Sequence, residues 1–243
     1  MDLHPGLLFK IRKDYADWFE TPAAREVLVQ RLCDLGPNPA YRQWLGRWKA
    51  CFPEGGAGGD GMAAATLEMD VLGRLVTGLG DRGVFEWGLR LHHTYGMPLI
   101  PGSSLKGVVA SLAQSLREKA VAAGHDDGPL KDMQEALFGT TEAAGMVVFH
   151  DAWWVPTSSC PTPFVRDVMT PHHLAYGSRD DRPAADWDDP TPVSFVAVRG
   201  RFFFAVEASD KDLAGLAMQL LQRALTVHGV GAKTRAGYGN FHG

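Results

Sequence analysis

The residues best suited to chemistry lie in a glycine-rich run near the end of the sequence, from Gly229 to Phe241. The run combines four glycines with two cations, a threonine and a tyrosine. Glycine permits positive φ and close backbone approach at a high cost in ordering entropy, so this density favours a loop that contacts a ligand. No Asp or Glu follows Asp212, which leaves Lys233 and Arg235 without a nearby acidic partner in the sequence. We therefore predict that the loop binds an anionic group, most simply a phosphate chain.

A second candidate segment, Pro101 to Gly107, opens a predicted helix. Ser103 and Ser104 offer side chains that can cap this helix, and Lys106 lies in its first turn. The free amides and the positive end of the helix dipole at such an N-terminus attract anions. An anion site and a purely structural cap are both compatible with these residues.

The spacing of the glycine run excludes two common nucleotide-binding loops. A P-loop needs glycine directly before its lysine and a strand before the loop, whereas Ala232 precedes Lys233 and a helix is predicted before it. A Rossmann fingerprint needs a third glycine after Gly231 and a following helix, and neither is indicated. What remains is a loop that follows a nucleic-acid backbone, with Tyr238 free to stack on a base. A tight turn that only ends a helix is the structural alternative.

The elements that must position these residues follow from hydrophobic periodicity. Helical spacing predicts helices at 23–35, 41–51, 62–79, 102–123 and 209–225, the last with a capping box at Ser209. Alternation and short apolar runs predict strands at 84–91, 146–149, 193–198, 202–206 and 238–241. A hairpin turn is predicted at 199–201.

This order of elements defines an α+β fold class. From residue 84 onward the order strand, helix, strands, helix, strand is ferredoxin-like or RRM-like, and it places the glycine loop between the second helix and the last strand. We expect residues 1–80 to form a helical N-terminal extension and residues 81–243 to form the RRM-like core. The segment 151–192 is long and rich in Pro, Asp, Ser and Thr, which predicts an insertion that projects from the sheet.

Composition narrows the function classes. The 243-residue chain is 45% hydrophobic, and it has neither an apolar run of membrane-spanning length nor a signal peptide, so we expect a cytoplasmic protein with no membrane partner. A net charge of −4 argues against binding duplex DNA by bulk electrostatics, so any nucleic-acid contact must be a focused groove. Three dispersed cysteines indicate neither disulfides nor a zinc site, and no metal or cofactor is expected.

Two separated segments resemble a known family. Leu91 to Val108 and Ala224 to Phe241 are similar to motifs of the RAMP superfamily of CRISPR proteins, most closely of the sixth Cmr-type subunit of type III-B effector complexes. The two segments occur in the order that the family has, and a middle stretch from Val168 to Phe195 is also similar. The resemblance covers residues 84–243 well and the N-terminal third loosely.

The resemblance implies an RRM-like RAMP core that holds CRISPR RNA in a multi-subunit particle that cleaves complementary target RNA. It implies a non-catalytic subunit near the guide 3′ end, beside other Cmr-type subunits, with 151–192 as a thumb-like projection. The candidate RNA-binding residues within the two segments are His92, His93, Ser103, Ser104, Lys106, Gly231, Lys233, Thr234, Arg235 and Tyr238.

Other functions are compatible with the same residues. The pairs His92-His93 and His172-His173 supply potential general bases, and Asp151 follows a predicted strand where an acid could lie. A stand-alone, metal-independent RAMP-type endoribonuclease is therefore the alternative, although satisfied or surface histidines are the expectation here. A small-nucleotide-binding module is a third class. Zinc is not indicated, because neither histidine pair has the spacing of a zinc motif.

Overall fold

The computed structural model describes residues 22–53, 61–79, 88–170 and 192–242. In chain order the elements are α1 (Pro22–Cys33), α2 (Pro39–Ala50), β1 (Ala63–Asp70), β2 (Leu99–Ile100), α3 (Gly102–Ala122), α4 (Asp127–Phe138), β3 (Val147–Phe149), β4 (Ala152–Val155), β5 (Phe164–Met169), β6 (Val193–Val198), β7 (Arg201–Ala208), α5 (Lys211–Val227) and a 3₁₀ turn (Thr234–Ala236). Helices and antiparallel strands are thus mixed along the chain, which confirms the predicted α+β class.

The main sheet is built around β7. Its order among the described residues is β1-β7-β4-β2, and β3 also pairs with β7. Because side chains alternate between the faces of a strand, Phe202 and Phe204 point to one face, where their rings contact Phe241 at 6.1 and 5.4 Å. Phe203 points to the other face and contacts Phe52, which follows α2, at 6.2 Å. Both faces are covered, so β7 reads as an apolar run without alternation.

Helices α3 and α5 pack together on the face of the sheet that carries Phe241. Helix α5 begins where the Asp210 carboxylate accepts a hydrogen bond from the Leu213 amide at 2.8 Å. The predicted capping box at Ser209 is therefore one residue early, and its hydroxyl bonds to Asp210 instead. The buried residues of α5 are Ala214, Ala217, Met218, Leu221, Ala224 and Leu225. Leu216 and Leu220, predicted on the buried face, lie half-buried at its margin.

A second, two-stranded sheet of β5 and β6 joins the main sheet through Leu75. The Leu75 amide donates to the Val198 carbonyl at 2.7 Å, and the Val198 amide returns a bond at 2.8 Å. The predicted hairpin at 199–201 is wrong, because β6 pairs with β5 while β7 pairs within the main sheet. The chain crosses between the sheets at Gly200, with φ of 96°, and the Trp154 indole holds the crossing by donating to the Arg199 carbonyl at 2.8 Å.

Residues 62–79 contain strand β1, so the predicted helix there is wrong. The strand pairs with β7 in one continuous register, from Ala63 opposite Ala208 to Asp70 opposite Arg201. A run of Ala, Leu, Glu and Met has helical propensity by itself, and long-range pairing with β7 overrides that preference.

Strand β4 lies inside the segment 151–192, which was predicted to project from the sheet. All its residues are buried, and Trp153 pairs opposite Phe203 in the middle of the sheet. The expectation that residues from Asp151 onward lie outside the core is therefore wrong at β4. The sheet takes strands from both sides of residue 80 and from within 151–192, so neither predicted boundary coincides with an edge of the sheet.

Three other expectations concern chain ends and segments. The predicted last strand at 238–241 is irregular, with a single antiparallel bridge from Phe241 to Val71. Of the strand predicted at 84–91, residues 84–87 lie outside the described residues, and 88–91 are irregular apart from a bridge between Leu91 and Pro98. The pair His172-His173 also lies outside the described residues. Among the helices that the structure describes, none is long and apolar enough to cross a membrane.

Candidate nucleic-acid interface

The two sequence motifs meet at one groove with a volume of about 810 Å³. Ser104, in the first turn of α3, lines one wall. Gly231, Thr234 and Arg235 of the glycine loop, which follows the C-terminal end of α5, also line the groove. A groove of this size accommodates a small ligand or part of a chain. The fold thus joins segments that are more than a hundred residues apart in the sequence.

The part of the groove that α3 forms extends beyond the sequence motif, which contains Ser104 but ends at Gly107. Ser104, Val108 and Ser111 are spaced by four and three residues, so they share one side of the helix. The signal that could have found Ser111 is the helical phase, because Leu105 and Leu112 fill the buried side. Gly78 and Leu79 also line the groove. Sequence reasoning did not identify these two residues, because periodicity predicted a helix at 62–79.

The N-terminus of α3 is capped by Asp151 rather than by its serines. The Gly102 amide donates to the Asp151 carboxylate at 2.7 Å, and Pro101 at the cap position makes no side-chain hydrogen bond. Ser103 and Ser104 are exposed in the first turn, so the capping role predicted for them is wrong. The Asp151 carboxylate already interacts favourably with the positive end of the helix dipole. An anion in the groove must therefore be attracted mainly by the glycine loop.

Backbone hydrogen bonds fix the glycine loop to the segment after β1. The Ala232 amide donates to the Val76 carbonyl and the Gly239 amide to the Arg74 carbonyl, each at 2.7 Å. Gly231 has a φ of 94°, and a Cβ at this position would lie closer than 3.0 Å to the Val76 carbonyl. Glycine is therefore required here both by φ and by the close approach of another backbone.

The two cations of the loop are exposed at the 3₁₀ turn. Lys233 has a φ of 59°, the one positive φ of a non-glycine residue in the described chain. Left-handed geometry costs such a residue about 1–2 kcal/mol, so the loop conformation is imposed by its surroundings. Neither Lys233 nor Arg235 makes an ion pair with the residues that the structure describes. Both side chains are available to an anionic ligand.

Tyr238 is tied to the second sheet instead of presenting a free ring. Its hydroxyl donates to the Asp167 carboxylate of β5 at 2.6 Å, and Arg74 pairs with the other oxygen of that carboxylate. Burial opposes ionisation of Asp167, but hydrogen bonds from Arg74, Tyr238 and the Val168 amide outweigh it and lower its pKa. Burial and the bond to Asp167 raise the pKa of Tyr238. Tyr238 anchors the end of the glycine loop to β5.

Other predicted site residues do not line this groove. His92 is half-buried on the α2 side of the sheet, where its ring lies 5.0 Å from that of Trp153. His93 is exposed beside it. Ser103 and Lys106 lie in the first turns of α3 but outside the groove lining that the described residues form, and Lys233 is exposed beside that lining without being part of it. The structure therefore brings Ser104, Gly231, Thr234 and Arg235 together at the groove and places the other predicted residues outside its lining.

The acid and base candidates have structural contacts of their own. Asp151 caps α3, and the His92 Nδ1 accepts a hydrogen bond from the Thr94 amide at 3.2 Å. His150, the neighbour of Asp151, pairs with Glu207 at 2.7 Å. In the parts of the chain that are described, no cluster of three or more His, Cys, Asp or Glu could hold a metal ion.

Known proteins resemble the chain over most of its length. The RAMP superfamily matches residues 68–242. The CRISPR system Cmr subunit Cmr6 of Pyrococcus furiosus is 32% identical over 227 residues, which cover 72% of this chain and 67% of that protein. The CRISPR system CMR subunit Cmr6 of Saccharolobus solfataricus is 28% identical over 160 residues, covering 65% and 49%. The chain thus spans about two thirds of the first relative and half of the second.

Solved structures extend the comparison to the fold. A chain in the cryo-EM structure of the type III-B Cmr-beta bound to cognate target RNA superposes with a TM-score of 0.65 at 22% identity, over 90% of this chain and 72% of that one. The crystal structure of Cmr6 from Pyrococcus furiosus matches 74% of this chain and 97% of that one, at 31% identity and a TM-score of 0.47. Because the family match spans residues 68–242, which is more than half of the chain, and because Cmr6 of Pyrococcus furiosus is 32% identical over 67% of its length, the chain belongs to the RAMP superfamily, in its Cmr6 family.

Proposed function

We propose that this chain is a non-catalytic, RNA-binding subunit of a type III-B Cmr effector complex. Its membership of the Cmr6 family supports a place in such a complex. The observation that carries RNA binding is the groove that Ser104 of α3 lines together with Thr234 and Arg235 of the glycine loop. The ligand is the CRISPR RNA near its 3′ end, and the further partners are complementary target RNA and the other Cmr-type subunits.

The groove chemistry suits an RNA backbone of any sequence. Lys233 and Arg235 neutralise phosphates from the exposed loop. The hydroxyls of Ser104 and Ser111 can bond to phosphate or to the ribose 2′-OH. Val108 offers apolar surface to the sugar. Backbone contacts of this kind position a strand without reading its bases, as a subunit that must accept guides of different sequence requires.

The experiment is a salt titration of guide RNA binding with a charge-matched control. Replacing Lys233 and Arg235 by alanine removes two phosphate contacts, so affinity should fall and the slope of log K against log salt should decrease by about 1.4, at 0.7 per contact. The control replaces Lys119 and Lys211, which are exposed outside the groove, and should keep the wild-type slope. An unchanged slope in the groove variant would contradict the phosphate contacts.

The same preparation distinguishes the other two functions. The isolated chain, incubated with labelled repeat and target RNA without metal, should bind at most. Robust cleavage that His92→Ala or His93→Ala abolishes would establish an endoribonuclease in place of a non-catalytic subunit. Saturable binding of a mononucleotide that RNA does not compete away would indicate a small-nucleotide module.

A further inference from the structure

A row of nearly parallel aromatic rings lies on the α2 side of the sheet. Trp48 and Trp44, one turn apart on α2, stack with ring centroids 5.8 Å apart and an interplanar angle of 13°. The row continues from Trp44 to His92 at 6.1 Å and 25°, and from His92 to Tyr95 at 5.1 Å and 21°. These separations are those of offset stacking. Two distant segments of the chain therefore build one continuous stack.

The row has a side ring, His93, that is held in a fixed orientation beside His92. The His93 ring lies 4.8 Å from that of His92 at 31°. Thr94 contacts both rings, since its amide donates to His92 Nδ1 at 3.2 Å and its hydroxyl lies 3.1 Å from His93 Nε2. Bonds between His92 and both Gly96 and Met97, at 2.8 and 2.9 Å, close the turn that carries the rings. His93 is thus a solvent-exposed ring whose orientation is set before any ligand arrives.

Core packing accounts for the inner rings but not for His93. Trp153 of β4 packs edge-on against Trp44 at 4.3 Å and 63°, and Trp153 is buried. Tyr41 packs against Trp44 at 5.9 Å and donates its hydroxyl to the Trp154 carbonyl at 2.5 Å. His93 is exposed beyond these contacts.

The surroundings of His93 favour a planar polar ligand over an apolar protein side chain. The large hydrophobic side chains that the described structure exposes are Val27, Leu72, Val121, Met133, Met146, Val148, Val168 and Val227. None of these side chains belongs to α2 or to the turn at 92–97, so within the described chain these two segments expose no large hydrophobic side chain of the kind found in the core of a protein interface. Every nucleobase has a π-face that can extend a stack of rings, whatever its sequence.

We infer that His93, the exposed ring beside His92 of the row, is a second RNA contact on which an unpaired nucleobase stacks. The inference rests on the proposed RNA-binding function. The segment that carries His93 continues through β2 into the first turn of α3, where Ser104 lines the groove. His93 and the part of the groove that α3 forms therefore belong to one continuous stretch of chain.

The test uses the full chain and single-stranded RNA with 2-aminopurine at successive positions. His93→Ala and His93→Gln should each weaken binding by roughly 5- to 150-fold, the effect of losing one stacked base, and should relieve the quenching of one 2-aminopurine. His93→Phe keeps a flat ring and should retain most of the affinity and the quenching. Because no phosphate contact is removed, the salt slope should stay at its wild-type value in all three variants.

The outcomes separate this inference from the proposed function. If the groove variant at Lys233 and Arg235 loses affinity while His93→Ala and His93→Gln bind and quench as wild type, the stacking contact is wrong and the groove stands. If no variant changes RNA binding, the proposed function fails as well. Retention of RNA affinity in His93→Gln, together with loss of association with other Cmr-type subunits, would assign the ring to a protein contact and overturn the inference.

Discussion

Replacing Gly231 by alanine tests whether the glycine loop is shaped by its contact with the segment after β1. Two costs are expected. Alanine at a φ of 94° is strained by about 1–2 kcal/mol. The new Cβ would also lie closer than 3.0 Å to the Val76 carbonyl, which already accepts a 2.7 Å bond from the Ala232 amide. Overpacking of this kind adds about 1–3 kcal/mol, for a total of about 2–5 kcal/mol.

Gly237→Ala is the matched control for this substitution. Gly237 has a φ of 87° in the same loop, but a Cβ there meets nothing within 4 Å. The control therefore carries the backbone strain of about 1–2 kcal/mol without the overlap. Urea unfolding of both variants gives the difference in the free energy of unfolding, which isolates the overlap with Val76. Guide RNA affinity, measured where both variants are folded, should fall more for Gly231→Ala because that wall of the groove moves.

The reasoning fails if the two variants lose the same free energy of unfolding and bind RNA equally. Equal losses would mean that positive φ alone sets the cost and that the loop is not constrained by the Val76 carbonyl. A Gly231→Ala variant that is as stable as the wild type would refute both parts, because neither the strain nor the overlap would then exist in solution.

Three further predictions concern the framework of the site. Asp151→Ala should lower the free energy of unfolding by about 1 kcal/mol in urea titrations, because the Gly102 amide loses its cap, whereas Asp151→Asn should retain most of it. Asp167→Asn should destabilise the protein at pH 7. The lowered pKa of Asp167 means that its pairing contributes fully above the unfolded pKa of about 3.9, so the difference from wild type should shrink as the pH falls through the lower folded pKa; a difference independent of pH from 7 to 2 would contradict the role of its charge. Gly215→Ala, in the interior of α5 with open space around the new Cβ, should raise the free energy of unfolding by about 0.5–1 kcal/mol, and a lower denaturation midpoint would contradict this.

Local signals predicted the helices that bear the site. The apolar stripe through Leu105, Val109 and Leu112 placed α3 correctly, and the run before Leu225 placed α5. Where a prediction from the sequence was wrong, the segment was fixed by pairing with a strand far away along the chain. Strand β1 is fixed by pairing with β7, and the crossing at Gly200 is fixed by the separate sheets on either side of it. Periodicity describes one face of one segment, so it carries no information on these partners.

The candidate site also has features that local sequence predicted and features that depend on distant residues. Residue types and spacing by themselves predicted an anion-binding glycine loop and a second candidate segment at Pro101 to Gly107, and the resemblance of both segments to the RAMP superfamily predicted the family. That Ser104 and the loop line one groove, that the Asp151 carboxylate caps α3, and that the Tyr238 hydroxyl bonds to Asp167 were decided only by the tertiary structure. The physical reason is that φ preferences and helix phase are set by neighbouring residues, whereas hydrogen bonds and ion pairs depend on which distant side chains the packed sheet brings within about 3 Å.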